Sequence, residues 1–273
     1  MAPDGDVPAA ETRPGRRLAI IVPMYNERVG AETCIRQILD VIPQLGLPAR
    51  LIVVNDGSQD GTGALLDQLR EQGQDFVVVH KPNGGYGSAI SSGAAAALEQ
   101  GFDYVLFMDS DLTNPPAHVS RFVTDIERGI DLIKGSRFSA GGDMQAVPWR
   151  RRVFSVAGNL VAQALFRMGI ADCTNGFRAV RTGLFVAMPL RERGFAVILE
   201  ELYWAKRFGA TVASVPTSLS ARTEDRRPTL FVYRPRIIWS YLKYALRACF
   251  VPYHPGRRGI AHGVSRAQVD SEI

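Results

Sequence analysis

Short apolar runs alternate with amphipathic stretches along most of the chain. Leu18-Ala19-Ile20-Ile21-Val22 reads as a buried strand ended by Pro23, and a helix is expected from about Val29 to Val41. Leu51-Ile52-Val53-Val54 predicts a second strand, followed by a helix from about Thr62 to Gln72. Phe76-Val77-Val78-Val79 predicts a third strand. The Gly-rich loop Asn83-Gly84-Gly85-Tyr86-Gly87 then leads into an Ala-rich helix, Ser88 to Gln100. Strand Tyr104 to Met108, helix Pro116 to Glu127 and strand Leu132 to Gly135 extend the series. Strands alternating with helices imply parallel βαβ units, hence an α/β fold with a mostly parallel, Rossmann-like sheet flanked by helices. The second half is less regular. It predicts helices from about Trp149 to Met168 and Phe195 to Phe208, a strand from Thr211 to Val215, and a last helix from about Arg236 to Phe250.

The ends of the chain differ from its middle. Residues 1–17 are rich in Pro, Gly, Ala and charge with no apolar core of a signal peptide, and read as a disordered lead. Residues 18–222 read as the folded domain, 223–253 as a basic loop with an interfacial helix, and 254–273 as a disordered tail. The longest candidate for a membrane span, Val153 to Phe166, has 14 uncharged residues between Arg152 and Arg167. That falls short of the roughly 18 that a spanning helix needs. A hydrophobic content of 46% over 273 residues is ample for a core. The three cysteines, Cys34, Cys173 and Cys249, are widely spaced without C-x-x-C, which argues against a disulfide framework and for a reducing compartment.

The polar residues at the strand ends carry the chemistry. Asp109-Ser110-Asp111 stands where the fourth strand opens into a Pro-rich loop, and strand ends are where open α/β sheets bind ligands. Two close carboxylates are costly unless a cation sits between them, and Mg²⁺ takes one or two carboxylates plus substrate phosphates. A divalent-metal site for a diphosphate is therefore expected there. Pro23-Met24-Tyr25-Asn26-Glu27 and Asn55-Asp56-Gly57-Ser58 end the first two strands on the same sheet edge. The Gly84 to Gly87 loop, ahead of a helix, could put backbone N–H groups on an anion, or could be a tight turn.

In these motifs the chain resembles the GT-A glycosyltransferases of family 2, and within them the dolichol-phosphate mannose synthase group. The resemblance runs from about Leu18 to Arg222. It rests on Val22 to Glu27, Val54 to Ser58, Gly87-Ser88-Ala89, Met108 to Leu112, Gly135-Ser136-Arg137-Phe138, Arg151, Ser155, Asn159, Asp172 to Arg178 and Glu200, in that order. It implies an inverting, metal-dependent transfer of a sugar, mannose favoured, from a nucleotide-sugar donor to polyprenyl phosphate. By the same resemblance Pro23, Tyr25, Glu27 and Asp56 line the nucleoside pocket, Asp111 is the leading ligand of Mg²⁺ or Mn²⁺, and Asp109 reaches the metal, the ribose or the sugar of the bound nucleotide. Thr113 stands where the family often carries a Gln metal ligand. Arg137, Arg151, Ser155 and Arg222 match positions that, by the resemblance, hold the acceptor phosphate and the leaving diphosphate, a role that bidentate guanidinium forks suit. Glu200 matches an acidic position that orients the sugar or the acceptor, against the plain reading of a helix-surface carboxylate like its neighbour Glu201. Asp172 to Arg178 is expected to form a turn beneath the acceptor site, with Arg178 locking it through carboxylate contacts.

The chain also departs from the group. Where Gly-Ser-Lys is usual soon after the arginine matched by Arg222, it reads Glu224-Asp225-Arg226-Arg227-Pro228. A hydroxyl of a soluble glycan or other non-lipid acceptor thus stays open, and a non-catalytic nucleotide-binding membrane scaffold is a further alternative. The formal charge of +5 is concentrated in Arg150 to Arg152 and in the last quarter. On the last helix Ile238, Leu242, Ala245 and Cys249 share one face and Arg236, Lys243 and Arg247 form a basic stripe. That pattern suits peripheral contact with an anionic bilayer, expected at its cytoplasmic face, though packing on the core is the alternative. A separate membrane-anchoring subunit stays open as a further partner. Nucleic acid is not an expected partner, because the acidic strand ends would repel its phosphates.

Overall fold

The structure is a computed structural model that describes residues 15–142, 149–219 and 235–256; for residues 149–155 and 235–238 it describes the backbone alone. Arg222, the basic loop after it and the ends of the chain lie outside the described residues.

The strands are β1 (Leu18–Met24), β2 (Ala49–Asp56), β3 (Val77–Lys81), β4 (Tyr104–Phe107), β5 (Leu132–Ser136), β6 (Arg178–Arg181) and β7 (Val212–Pro216). They form one seven-stranded sheet in the order β3-β2-β1-β4-β6-β5-β7. β1 pairs in parallel with β2 and β4, β2 with β3, and β5 with β7, whereas β6 runs antiparallel between β4 and β5. The helices are α1 (Ala31–Val41), α2 (Thr62–Glu71), α3 (Tyr86–Glu99), α4 (Ser120–Arg128), α5 (Trp149–Phe166), α6 (Thr182–Ala187), α7 (Val197–Arg207) and α8 (Pro235–Cys249).

The alternation of side chains along β1 assigns the two helical layers. Leu18, Ile20 and Val22 pack with Ala31, Cys34, Ile35 and Ile38 of α1, Leu66 of α2 and Phe122 of α4. Ala19 and Ile21 pack with Ala89, Ile90 and Ala94 of α3, and with buried residues of α5, α6, α7 and α8. Both faces are covered, which is why the central strands read as near-continuous apolar runs.

One predicted helix divides, and two elements appear that were not predicted. The span Pro116 to Glu127 divides into a 3₁₀ turn, Pro116–Val119, followed by α4. β6 and α6 were not expected, because β6 is four residues of sequence Arg-Ala-Val-Arg, and a strand flanked by guanidiniums does not advertise burial. Arg178 is nevertheless fully buried.

α8 is packed on the domain. Tyr244, Ala245 and Ala248 are buried in the same cluster as α7, and Tyr241 packs against it. The buried face shares Ala245 with the predicted one but is rotated from it, for Cys249 is exposed and Lys243 pairs with Glu192. Trp239, Leu246 and Phe250, spaced seven and four residues apart, lie on the opposite side and are exposed.

Candidate active site

Because β1 lies between β2 and β4 and runs parallel to both, the three strands deliver their C-terminal residues to one edge. The turn after β1 is stitched to the turn after β2. Asn26 sits in the left-handed region (φ 56°), a conformation Asn tolerates better than most residues. Its amide donates to Ser58 Oγ at 3.0 Å, its Oδ1 accepts from the Gln59 amide at 2.8 Å, and the Glu27 amide donates to Thr62 Oγ1 at 2.9 Å. Tyr25 is exposed, and Pro23 and Glu27 are half-buried at this rim.

Asp56 is only 3% exposed, and its partners explain the Gly-rich loop. Oδ1 accepts from Lys81 Nζ at 2.5 Å and from the Gly84 amide at 2.9 Å, and Oδ2 accepts from the Gly85 amide at 2.8 Å. The anion on these loop amides is therefore Asp56 itself. Gly57 (φ 72°) is required, since a Cβ there would stand 2.5 Å from the Asn83 nitrogen. Lys81 was not singled out from the sequence, although strand register places it directly opposite Asp56.

Asp109 and Asp111 are half-buried at the end of β4. Leu112 adopts φ 56°, a strained turn for a bulky residue that swings the chain back immediately after Asp111. Thr113 donates to Asp111 Oδ1 through its amide (3.1 Å) and its hydroxyl (2.8 Å), so its hydroxyl orients the carboxylate. Burial raises the Cys34 thiol pKa, helped by the negative charge of Asp111, Glu27 and Asp109.

A buried cation backs the site. Arg178 donates from Nε and Nη2 to Glu201 at 2.7–2.9 Å, from Nη1 to the Gly176 carbonyl at 2.6 Å and to the Tyr86 hydroxyl at 3.4 Å. The expected lock on the 172–178 turn is present, and its carboxylate is Glu201, which is fully buried and not a surface residue. A Cβ on Gly176 would lie 3.6 Å from both Asp109 Oδ2 and the Tyr86 hydroxyl, so the locked turn lies against Asp109. Burial pushes the Tyr86 hydroxyl up to about 12, keeping it protonated.

The comparisons with known proteins decide the family. Residues 19–187 match the model of a family described as glycosyl transferase family 2. The chain belongs to glycosyltransferase family 2. It is 34% identical to a polyprenol monophosphomannose synthase of Mycolicibacterium smegmatis, over 80% of this chain and 82% of that one. It is 29% identical to an undecaprenyl-phosphate mannosyltransferase of Micrococcus luteus, over 76% and 84% of the two chains. Among solved structures, a glucosyl-3-phosphoglycerate synthase of Mycobacterium tuberculosis in complex with Mn²⁺, UDP and phosphoglyceric acid superposes with a TM-score of 0.60 at 25% identity, covering 87% of this chain and 80% of that one. The fold of this family-2 chain is accordingly GT-A.

In this glycosyltransferase the remaining predicted residues separate. Arg137 donates from Nε to Asp172 Oδ2 at 2.7 Å and from Nη2 to Asp172 Oδ1 at 3.0 Å and Thr174 Oγ1 at 2.9 Å. Burial works against the charge of Asp172, but the adjoining guanidinium holds its carboxyl below the usual range. Asp172→Asn should cost about 2 kcal/mol near neutral pH, from loss of a charge-assisted pair in a buried setting. The sign follows from the lowered pKa: the contribution is present above the unfolded carboxyl range and is lost as pH falls through the folded pKa. Chemical denaturation of both proteins should therefore show a stability gap at pH 7 that closes in acid. Arg151 and Ser155 lie on the α5 backbone, with side chains outside the described residues, as is Arg222 altogether. Asn159 ties α5 to the same turn, with Oδ1 accepting from the Cys173 amide and Nδ2 donating to the Ala171 carbonyl, both at 2.8 Å. The Glu200 carboxylate accepts from the Arg191 and Glu192 amides and from the Tyr244 hydroxyl at 2.8–3.0 Å, which ties it into the protein scaffold.

Proposed function

We propose that this family-2 enzyme transfers a sugar, with mannose the favoured one, from a nucleotide-sugar donor to polyprenyl phosphate at a membrane surface, inverting the anomeric centre. The observation that carries the reading is the match, over about four-fifths of the chain, to a relative named polyprenol monophosphomannose synthase. The undecaprenyl-phosphate mannosyltransferase of M. luteus supports it.

The donor set fits a hard divalent cation. Among the described residues there is no group of three or more His, Cys, Asp or Glu side chains able to hold a metal alone. Asp109 and Asp111 therefore suit Mg²⁺ or Mn²⁺ completed by substrate phosphate oxygens. Asn114, three residues on, is buried with a side-chain carbonyl oxygen that meets no donor. The cation, when bound, neutralises charge on the departing nucleoside diphosphate. The chain's own residues do the rest. Pro23, Tyr25 and Glu27 flank the nucleoside, and Asp56 offers it the remaining acceptor capacity of Oδ2. Arg137 presents its Nη1 edge to the acceptor phosphate, Nε and Nη2 being used on Asp172 and Thr174. Arg151, Ser155 and Arg222 complete that phosphate site. A phosphate acceptor is already anionic near neutral pH, so no strong general base is required.

The exposed side chains Trp239, Leu246 and Phe250, with Leu160 and Val161 of the adjoining α5, form the lipid-facing surface. No helix among the described residues is long and apolar enough to cross a membrane, so contact would be peripheral. Trp239→Ser combined with Phe250→Ser should weaken binding to anionic vesicles on the order of a hundredfold in a flotation assay, since each large apolar group is worth about 1.5–3 kcal/mol on burial. Unchanged flotation would move the contact elsewhere.

The second reading, transfer to a soluble acceptor, draws on the structural likeness to the glucosyl-3-phosphoglycerate synthase. Incubating the enzyme and a membrane fraction with labelled GDP-mannose, UDP-glucose and UDP-N-acetylhexosamines separates the two. Label in the lipid extract supports the proposal, and label confined to water-soluble product supports the alternative.

A further inference from the structure

Glu200 and Tyr244 both lie beyond the matched segment 19–187, yet they connect to the nucleotide side of the site. Glu200, in the first turn of α7, is 2% exposed. Its Oε1 accepts from the Tyr244 hydroxyl at 2.9 Å and from the Arg191 amide at 3.0 Å, and its Oε2 accepts from the Glu192 amide at 2.8 Å. Lys243, one residue before Tyr244 on α8, pairs with the Glu192 carboxylate, so side chains from α7 and α8 grip the same short segment. That segment presses on the Gly-rich turn. The Gly87 amide donates to the Arg193 carbonyl at 2.8 Å. A Cβ on Gly85 would stand 2.6 Å from the Arg193 carbonyl oxygen, and one on Gly87 would stand 2.0 Å from that of Glu192. Gly85 in turn donates its amide to Asp56. Polar contacts thus run without a gap from α8 through Glu200, residues 191–193 and Gly85–Gly87 to Asp56.

We propose that Glu200 and Tyr244 are positioning residues for the donor site: they fix the 191–193 segment, which sets the Gly85–Gly87 turn and with it Asp56. The inference rests on the reading of Asp56 as part of the nucleoside pocket. A carboxylate that is buried and supplied with donors on both oxygens is a structural anchor, because exposing it to a sugar would leave the segment's amides without acceptors. The C-terminal helix is then part of the donor site's support, although it touches no nucleotide.

The test is nucleoside diphosphate binding by the full chain, with GDP and with UDP in the presence of Mn²⁺, measured by calorimetry. Glu200→Gln should weaken binding about tenfold and Tyr244→Phe about three- to tenfold, as expected for hydrogen bonds to a charged acceptor transmitted in part to a neighbouring site. In steady state the donor KM should rise by a similar factor, while kcat and the lipid-phosphate KM change by less than about threefold. Gly87→Ala, which displaces the same segment from its other side, should give the same pattern. Tyr244→Phe removes a single oxygen atom, so it serves if the other variants fail to fold. Nucleotide affinities equal to wild type in Tyr244→Phe, or a fall in kcat of about a hundredfold in Glu200→Gln with nucleotide binding intact, would overturn the proposal, the latter by making Glu200 a group that touches substrate. The binding assay contains no acceptor, so a wrong assignment of the acceptor leaves its outcome unchanged.

Discussion

Asp111→Ala is expected to lower turnover by roughly a thousandfold while leaving the fold intact, and EDTA is expected to do the same to the wild type, with Mn²⁺ or Mg²⁺ restoring it. A cation that stabilises diphosphate departure contributes several kcal/mol to the transition state, and about 4 kcal/mol corresponds to three orders of magnitude. Full turnover in EDTA would remove the metal from the mechanism. Thr113→Val should give a weaker version, about tenfold in turnover, because it frees the carboxylate that Thr113 orients without deleting it.

Glu201→Ala should be the most destabilising change in the protein. It would strand the Arg178 guanidinium at zero exposure with its carboxylate gone. Breaking a buried pair from one side costs about 3–5 kcal/mol, a large share of the roughly 5–15 kcal/mol that holds a domain together. A fall of about 10 °C in melting temperature is the expected readout. Arg178→Met together with Glu201→Leu should recover much of the stability, since an apolar pair needs no compensation. It should not recover activity, because the Tyr86 hydroxyl and the carbonyl of Gly176, whose turn lies against Asp109, would lose the Nη1 donor. A Glu201→Ala variant melting within about 2 °C of wild type would show that the ion pair is dispensable.

The central strands and α1, α2 and α3 were legible because each carries a run or period that its burial demands. The strand-end motifs were legible because a parallel sheet sends its C-terminal ends to one edge. Residues of the candidate site that were hidden from the sequence share a different origin. Lys81, Tyr86, Glu201 and Tyr244 act through partners 25, 92, 23 and 44 residues away, so no local pattern marks them. Glu201 is the sharpest instance. Next to Glu200 on α7 it reads as a solvated carboxylate, and only the antiparallel insertion of β6 brings Arg178 to it.

The sequence by itself determined the βαβ order, the edge at which the candidate site stands, and the identity of the carboxylates there. These follow from hydrophobic period, chain direction and residue type, which are local. The tertiary structure alone decided what those carboxylates touch. It gave the loop amides to Asp56, tied Glu200 to the backbone of residues 191–193, and set a buried Arg178–Glu201 pair behind Asp109. It also decided which face of α8 packs, choosing Tyr244, Ala245 and Ala248 and leaving Trp239 and Phe250 outward. A hydrogen bond or ion pair depends on distances across the sheet and between helices, and those distances exist only once the chain has folded.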